Sequence, residues 1–226
     1  NLAIDPTKTV TINGNVVIGS AAATSVTNFT ASGGGDFSVS NTTNTGNTFH
    51  VGGTGTGNNT LADFSGLASM NVSLNTTGGT FLVSSSSGTN LTGKAEIRLA
   101  DTTVITANAL TVGGGGTFGG NANQVNQLKL GTAANVLNVN AINIGTGARD
   151  LGSITFQDVS GTVTVRAADG TSAAAFNMGT GAANTAVALA GNQNTFDVTG
   201  HNADLKFSTV NIGTQNRNAD LVNVFS

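Results

Sequence analysis

The chain of 226 residues contains no cysteine, tryptophan or tyrosine, and its only proline is Pro6. Without cysteine it cannot form disulfide bonds, thiolate metal sites or thiol redox centres. Charged residues make up 8% of the chain, and the net charge of −3 comes with no cluster of lysine and arginine. Nucleic acid is therefore not an expected partner, because binding it requires a basic surface that neutralises phosphates.

Long apolar runs are also missing. The longest apolar segments span a few residues, whereas a helix needs ~20 to cross a bilayer, so membrane insertion is not expected. Thr, Ser, Asn and Gly are abundant, Glu96 is the only glutamate, and the chain begins at Asn1 instead of a methionine. We therefore expect a secreted, extracellular protein at the cell surface, from which a leader or a larger precursor has been removed.

Short apolar segments are what the chain does contain. Apolar and polar residues alternate over three to five positions and then stop at Gly or Asn, which is the period-two pattern of β-strands. This pattern predicts an all-β fold with strands at 10–12, 16–18, 26–29, 37–39, 49–51, 61–64, 70–74, 81–83, 95–99, 110–112, 128–130, 137–139, 142–144, 154–156, 163–165, 176–178, 186–189, 196–198, 205–207, 210–212 and 221–224.

Internal repeats accompany the strands. The segment "INIGTGAR" from Ile142 matches "VNIGTQNR" from Val210, and the same offset along the chain relates Asn126 to Asn194. A heptapeptide occurs twice as well, as "NTFHVGG" from Asn47 and "NTFDVTG" from Asn194. The second heptapeptide keeps Asn, Phe, Val and the final Gly but replaces His50 by an aspartate, so we assign the motif to stacking and give His50 no chemical role.

Duplicated short strands favour a parallel β-helix, in which each coil stacks its inward apolar side chains on those of the next. Gly and Asn suit its sharp corners, because both tolerate left-handed backbone conformations. With two or three strands per coil, a coil takes roughly 20 to 30 residues, which gives about eight to eleven coils. We predict a single elongated β-solenoid domain over residues 1–226; a β-sandwich is the alternative.

The segments "NALTVGG", "NVLNVNAINIG" and "STVNIGTQNR", on their Thr/Ser/Asn/Gly background, resemble the repetitive parallel β-helix regions of large secreted bacterial exoproteins. Autotransporter passengers and filamentous-haemagglutinin-like adhesins are the families concerned. The resemblance implies export, a right-handed β-helix, and a role in adhesion or scaffolding as a segment of a larger exported protein.

A solenoid end is an unpaired strand edge that can add another subunit. The leading functional hypothesis is therefore a structural or adhesive subunit of a bacterial surface fibre or matrix, whose partner is a second copy joined end to end. No enzyme activity, cofactor or metal is predicted. The candidate assembly surfaces are the terminal strands, with residues Val10, Ile12, Val16, Ile18, Leu221, Val222 and Val224.

Two other functions stay open. One is a carbohydrate-binding adhesin module, with surface glycans as partners. The other is a β-helix polysaccharide lyase or hydrolase, since acid–base chemistry could use the carboxylates concentrated in the second half. Those residues are Asp150, Asp158, Asp169, Asp197, Asp204 and Asp220, with Arg149, Arg166 and Arg217 beside them.

Asn-x-Ser/Thr sequons occur in the first half of the chain and predict candidate glycosylation sites. They begin at Asn28, Asn41, Asn58, Asn71, Asn75 and Asn90. The two histidines, His50 and His201, have no Cys, His or Glu at metal-ligand spacing and are expected at outward strand or turn positions.

Overall fold

A computed structural model of the protein describes residues 1–22, 25–53, 58–85, 93–114, 125–147, 151–180, 193–213 and 222–226. These residues form twenty strands, numbered β1 to β20 in chain order, and no helix. All paired strands run parallel, coil upon coil. The predicted parallel β-solenoid is thus confirmed, and the β-sandwich alternative is wrong, because the strands of a sandwich pair antiparallel.

Each complete coil contributes one strand to each of three faces. The first face stacks β1 (Leu2–Ala3), β4 (Val26–Ser32), β7 (Asn59–Gly66), β10 (Ala95–Arg98), β12 (Val125–Leu130), β14 (Leu151–Phe156), β17 (Gln193–Phe196) and β20 (Val222–Phe225). The second face stacks β2 (Thr9–Ile12), β5 (Asp36–Asn41), β8 (Ser69–Leu74), the first halves of β11 (Thr102–Val112) and β13 (Ala134–Ile144), β15 (Thr162–Arg166) and β18 (Asn202–Leu205).

The third face stacks β3 (Val16–Ile18), β6 (Thr48–Val51), β9 (Thr80–Val83), the second halves of β11 and β13, β16 (Ala174–Met178) and β19 (Phe207–Ile212). The long strands β11 and β13 pass through the corner between the second and third faces, so they join both ladders into one sheet. Absent from the sequence-predicted set are β1, the first half of β11 and most of β17 and β18, which meet the predicted strands 196–198 and 205–207 at one residue each. The predicted strand 186–189 lies outside the described residues.

Alternation decides which side chains form the core, because successive residues of a strand point to opposite sides of the sheet. In β6, for example, Phe49 and Val51 are fully buried while His50 between them is partly exposed. Equivalent residues of successive coils then stack: the rings of Phe49 and Phe81 are parallel within 5° and 4.7 Å apart. One continuous apolar cluster runs from Ile4 to Phe196.

The length of the coil varies, and many coils are longer than predicted from the sequence. Side-chain hydrogen bonds between neighbouring coils join residues 33 apart, as from Ser69 Oγ to Asp36 Oδ1. The spacing reaches 42 residues between Gly152 and Asn194. The expected length of roughly 20 to 30 residues holds for the shorter spacings, such as the 26 residues between paired Lys129 and Thr155, and is too short for the others. The described residues form fewer complete three-stranded coils than the roughly eight to eleven predicted.

The offset between the two matching segments corresponds to two coils. Ile142 pairs with Phe176, which pairs in turn with Val210, so the segments lie on the third face with one strand between them. The two heptapeptides do not share a face: the first enters β6 on the third face, and the second enters β17 on the first. Their likeness therefore reflects a common way of starting a strand, and not equivalent positions in the coil.

Buried asparagines hold the corner before the first face. Asn126 Oδ1 accepts hydrogen bonds from the backbone N–H groups of Ser85 and Ala95, and its Nδ2 donates to the carbonyl oxygen of Leu151. Asn58 and Asn194 occupy the same corner and accept from backbone N–H groups of the preceding coil. These amides satisfy backbone groups that leave the ladder at a turn, where an unpaired buried group would be costly.

Candidate functional site

The first end of the solenoid is an open apolar cavity of about 580 Å³. Its walls include Leu2, Val10, Ile12, Val16 and Ile18 from the first coil. Its floor is aromatic, formed by the rings of Phe29, Phe37 and Phe64, with the centroid of Phe64 5.3 Å from that of Phe29 and 5.1 Å from that of Phe37. The structure thus brings together the four predicted assembly residues near the start of the chain, Val10, Ile12, Val16 and Ile18.

The opposite end exposes the same inward rows. On the third face Val210 continues a row in which the preceding residues are buried, yet 52% of Val210 is exposed. Ile212 is 41% exposed, although its partner Met178 is fully buried. On the first face Phe225 is 44% exposed and pairs with the fully buried Phe196. These side chains continue the core rows, but no described coil covers them.

Backbone ladder edges are open at both ends. Among the described strands, β1, β2 and β3 each pair on one side only, as do β18, β19 and β20. An edge strand presents a row of N–H and C=O groups that can pair with another strand. Each end therefore combines three strand edges with inward apolar side chains that no described coil covers, although Val16 and Ile18 at the first end are themselves buried.

The structure does not place the described assembly residues predicted at the other end of the chain in a buried row. Val224 pairs with Thr195, an outward position of β17, whereas its neighbour Phe225 pairs with buried Phe196. Phe225, and not Val224, therefore continues the buried row. Val222 lies in β20 and pairs with Gln193, and Leu221 falls outside the described residues.

Sequence reasoning missed Val210, Ile212 and Phe225 as end residues. The signal was present, because the match between the two repeated segments aligns Val210 and Ile212 with Ile142 and Ile144. What the pattern could not show is which coils cover them. Exposure of an inward residue depends on which strands stack above and below it, and not on its own strand.

The sequons divide by accessibility. Asn28 and Asn71 are exposed at outward strand positions, while Asn41 and Asn75 are half-buried. Asn58 is buried, and its Nδ2, the atom that would carry a glycan, donates to the carbonyl oxygen of Ser20 at 2.7 Å. Asn58 is therefore not an accessible acceptor in the folded chain. Asn90 lies outside the described residues.

Both histidines make structural contacts. His50 Nε2 donates to the carbonyl oxygen of Ser84 at 2.9 Å, which ties one coil to the next. The ring of His201 stacks on Phe156, with centroids 3.7 Å apart. Among the described residues, no group of three or more His, Cys, Asp or Glu side chains could hold a metal ion, and no helix is long and apolar enough to span a membrane.

Three aspartates of the second half serve as turn residues. Hydrogen bonds from the Ser172 hydroxyl and from the backbone N–H groups of Ser172 and Thr171 lower the pKa of Asp169. The hydroxyl and N–H groups of Ser160 lower the pKa of Asp158 in the same way. The backbone N–H of Thr199 is the largest cause that lowers the pKa of Asp197.

A general acid needs a pKa near the working pH, and these three turns move the pKa away from it. A fourth aspartate, Asp204, forms an ion pair with Arg166. Four residues of the enzyme hypothesis, Arg149, Asp150, Arg217 and Asp220, fall outside the described part of the chain. The described carboxylates of the second half thus act in local turns and one ion pair.

A different charged cluster lies on the outer side of the first face. Asp63 of β7, Glu96 and Arg98 of β10 and Lys129 of β12 are neighbours across three consecutive strands. Sequence reasoning did not group them, because they lie far apart along the chain and only the register of the strands aligns them. The signal in the sequence is weak: each is a polar residue that alternates with buried apolar ones.

Comparison of the chain with known protein families, with curated proteins and with solved structures finds no match.

Proposed function

We propose that the protein is an extracellular structural or adhesive rod whose copies join end to end by parallel β-strand pairing. The observation that carries this proposal is that the inward apolar rows, buried in the central coils, border an open cavity at the first end and are exposed at Val210, Ile212 and Phe225 at the other. Covering such surfaces removes apolar area from water, at roughly 25 cal/mol per Å². The open strand edges supply the directional part of the contact.

The two ends are complementary in direction. Because all strands are parallel, the strand edges at one end run in the same direction as those at the other, so an edge such as that of β19 can add to β3 of a second copy and continue the same ladder. Such a contact is heterologous, since each copy uses two different surfaces, and a heterologous contact that does not close gives an open filament. A fibre or matrix follows from repeating it.

Export to the cell surface is part of the proposal. The composition supports it, with abundant Thr, Ser, Asn and Gly, few charges and no cysteine. The likeness of segments such as "NVLNVNAINIG" to autotransporter passengers and filamentous-haemagglutinin-like adhesins supports it further. On this proposal, the solenoid forms a segment of a larger surface exoprotein of that kind, with right-handed coils.

Sedimentation velocity and negative-stain microscopy over a wide concentration range test the assembly. Wild-type protein is expected to form rods that lengthen with concentration. Val210→Asp should block one end, and Ile12→Asp the other, because each places a charge in an apolar joining surface. The matched control is Val159→Asp, which changes a valine that is 93% exposed between β14 and β15, away from both ends, and should leave assembly unchanged.

Mixing the two blocked variants gives the sharpest result. Each variant keeps one free end, so the mixture should form dimers and nothing longer than a dimer. Either variant alone should stay monomeric. Monodisperse wild-type monomers at all concentrations would contradict end-to-end assembly. So would rods formed by Val210→Asp alone that are as long as those of Val159→Asp.

A further inference from the structure

The outer side of the first face concentrates charge in a chain that has little of it. The sequence holds 8 basic and 11 acidic side chains. Five of them, Asp63, Lys94, Glu96, Arg98 and Lys129, lie on β7, β10 and β12 or directly before them. Glu96 is the only glutamate of the chain and is buried. Because stacking requires none of these outward charges, the cluster calls for a separate explanation.

The register arranges the cluster as a row along the solenoid axis. Asp63 pairs with Arg98, Arg98 with Lys129, and Lys129 with Thr155. Neighbouring strands lie ~4.8 Å apart, so the four side chains extend over about 14 Å. An elongated ligand lying along the axis would meet all four.

Contacts within the cluster hold these side chains in place. Arg98 Nε donates to Glu96 Oε1 at 2.9 Å, and Arg98 Nη1 lies 3.4 Å from Asp63 Oδ2. Ser65 Oγ donates to Asp63 Oδ1 at 2.6 Å. Side chains fixed before binding lose less conformational entropy when a ligand arrives.

The charges leave one cation in surplus. Glu96 and Asp63 are matched by Arg98 and Lys94 in ion pairs. Lys129 Nζ donates instead to the neutral hydroxyl of Thr155 at 2.8 Å, and no carboxylate of the described residues lies within ion-pair distance of it. The cluster thus offers an anion one positive charge on a chain whose net charge is −3.

The same side chains line a groove. A cavity of about 210 Å³ is lined by Ser65, Glu96, Arg98, Lys129 and Gln157, all of them polar. A second cavity of about 160 Å³ adjoins it and shares Glu96. Each is smaller than a typical drug-sized pocket of ~300 to 1,000 Å³, which suits a single ring of a longer ligand that continues along the open face.

We propose that this groove binds an acidic saccharide. The carboxylate of a uronic acid unit pairs with Lys129 and Arg98, and its hydroxyls contact Ser65, Glu96 and Gln157. An extended peptide fits less well, because strands β7, β10, β12 and β14 are paired on both sides and offer no edge to it. The site is on the side of the rod and does not depend on end-to-end assembly.

Calorimetric titration with oligosaccharides of galacturonate, glucuronate and mannuronate tests the site on the full chain. Saturable binding of at least one is expected, and its carboxyl-reduced, neutral counterpart should bind at least tenfold more weakly. Lys129→Gln should weaken binding of the acidic form at least tenfold. Ser65→Ala, which keeps every charge, should weaken it severalfold. Lys8→Gln, which removes an exposed lysine from the first coil, should leave it unchanged.

Several outcomes would overturn the proposal. One is that none of the acidic oligosaccharides binds. Another is that the carboxyl-reduced forms bind as tightly as the acidic forms. The third is that Lys8→Gln weakens binding as much as Lys129→Gln does. A polyglutamate peptide or inorganic phosphate that binds as tightly as the saccharide would reassign the groove as a general anion site. Circular dichroism of Lys129→Gln and Ser65→Ala checks that each variant keeps the β-fold.

Discussion

Central and terminal coils place the same kinds of side chain at the same inward positions but bury them to different degrees. Phe49, Phe81, Leu110, Ile142 and Phe176 form one row on the third face and are fully buried. The next residue of that row, Val210, is half exposed. In a solenoid a core position is completed by the coils on both sides of it, so its burial is a property of the stack.

The largest expected difference in stability between the two regions comes from replacing a phenylalanine by alanine. Phe81→Ala in a central coil should lower the free energy of unfolding by about 3 to 5 kcal/mol, because it leaves a cavity among fully buried side chains. Phe225→Ala at the end should cost only about 1 to 2 kcal/mol, because part of that ring already contacts water. Urea unfolding of both variants measures the difference.

Equal losses of unfolding free energy in Phe81→Ala and Phe225→Ala would contradict the difference between central and terminal coils. They would show that the end ring is as well covered as the central one. Repeating the measurement above and below the concentration at which rods form provides the control, since end-to-end contact should raise the cost of Phe225→Ala and leave that of Phe81→Ala unchanged.

A buried corner asparagine should be the next most sensitive position. Asn135 Oδ1 accepts from the backbone N–H of Gly131, and its Nδ2 donates to the carbonyl oxygens of Gly131 and Thr162. Asn135→Ala leaves these buried groups without partners and should cost about 1 to 3 kcal/mol. Thermal unfolding measures this loss of stability, with Asn28→Ala at an exposed position as the control. A loss of stability no larger than that of Asn28→Ala would refute the role of Asn135 at the corner.

The partly buried asparagine ladder on the outer side of the third face should matter less. Asn177 donates to Asn143 Oδ1 at 3.0 Å and accepts from Asn211 Nδ2 at 2.8 Å, whereas the terminal Asn211 has only the second of these bonds. Asn177→Ala should cost about 1 kcal/mol and Asn211→Ala about half of that. Urea midpoints in the opposite order would mean that the ladder does not act between coils.

The smallest expected effect is a dependence of stability on pH that is similar in central and terminal coils. Asp158 and Asp169 follow central strands and Asp197 a strand near the end, and hydrogen bonds within each turn lower the pKa of all three below the ordinary 3.8. A lowered folded-state pKa adds stability that is present above the unfolded value and is lost as the pH falls through the folded one.

Carboxyl carbon NMR titration in the acid range measures these pKa values directly. Ser172→Ala removes the hydroxyl whose hydrogen bond contributes most to the lowered pKa of Asp169. The substitution should therefore raise the pKa of Asp169, while the pKa values of Asp158 and Asp197 stay the same. Simultaneous changes in all three would show that the turns communicate through the stack and are not set locally.

Much of the fold could be predicted from single strands and repeats. Alternation in segments such as "TFHV" identified buried Phe49 and Val51, since the side of the sheet that a residue occupies depends only on the local pleat. The match between the segments at Ile142 and Val210 identified residues that share a face two coils apart. Local chemistry was also sufficient to place His50 on the outer side of its strand.

The sequence alone determined strands, parallel stacking and the inward rows, because these follow from periodicity within a few residues and from its repetition. Only the tertiary structure decided the length of each coil, since the paired residues stand 26 apart at Lys129 and Thr155 but 42 apart at Ser153 and Thr195. That register, set by corners of different length, aligns Asp63, Arg98 and Lys129 in one row, of which Arg98 and Lys129 line the groove. It also determines where the described stack ends, and therefore why Val210 and Phe225 meet water while equivalent positions in the centre do not.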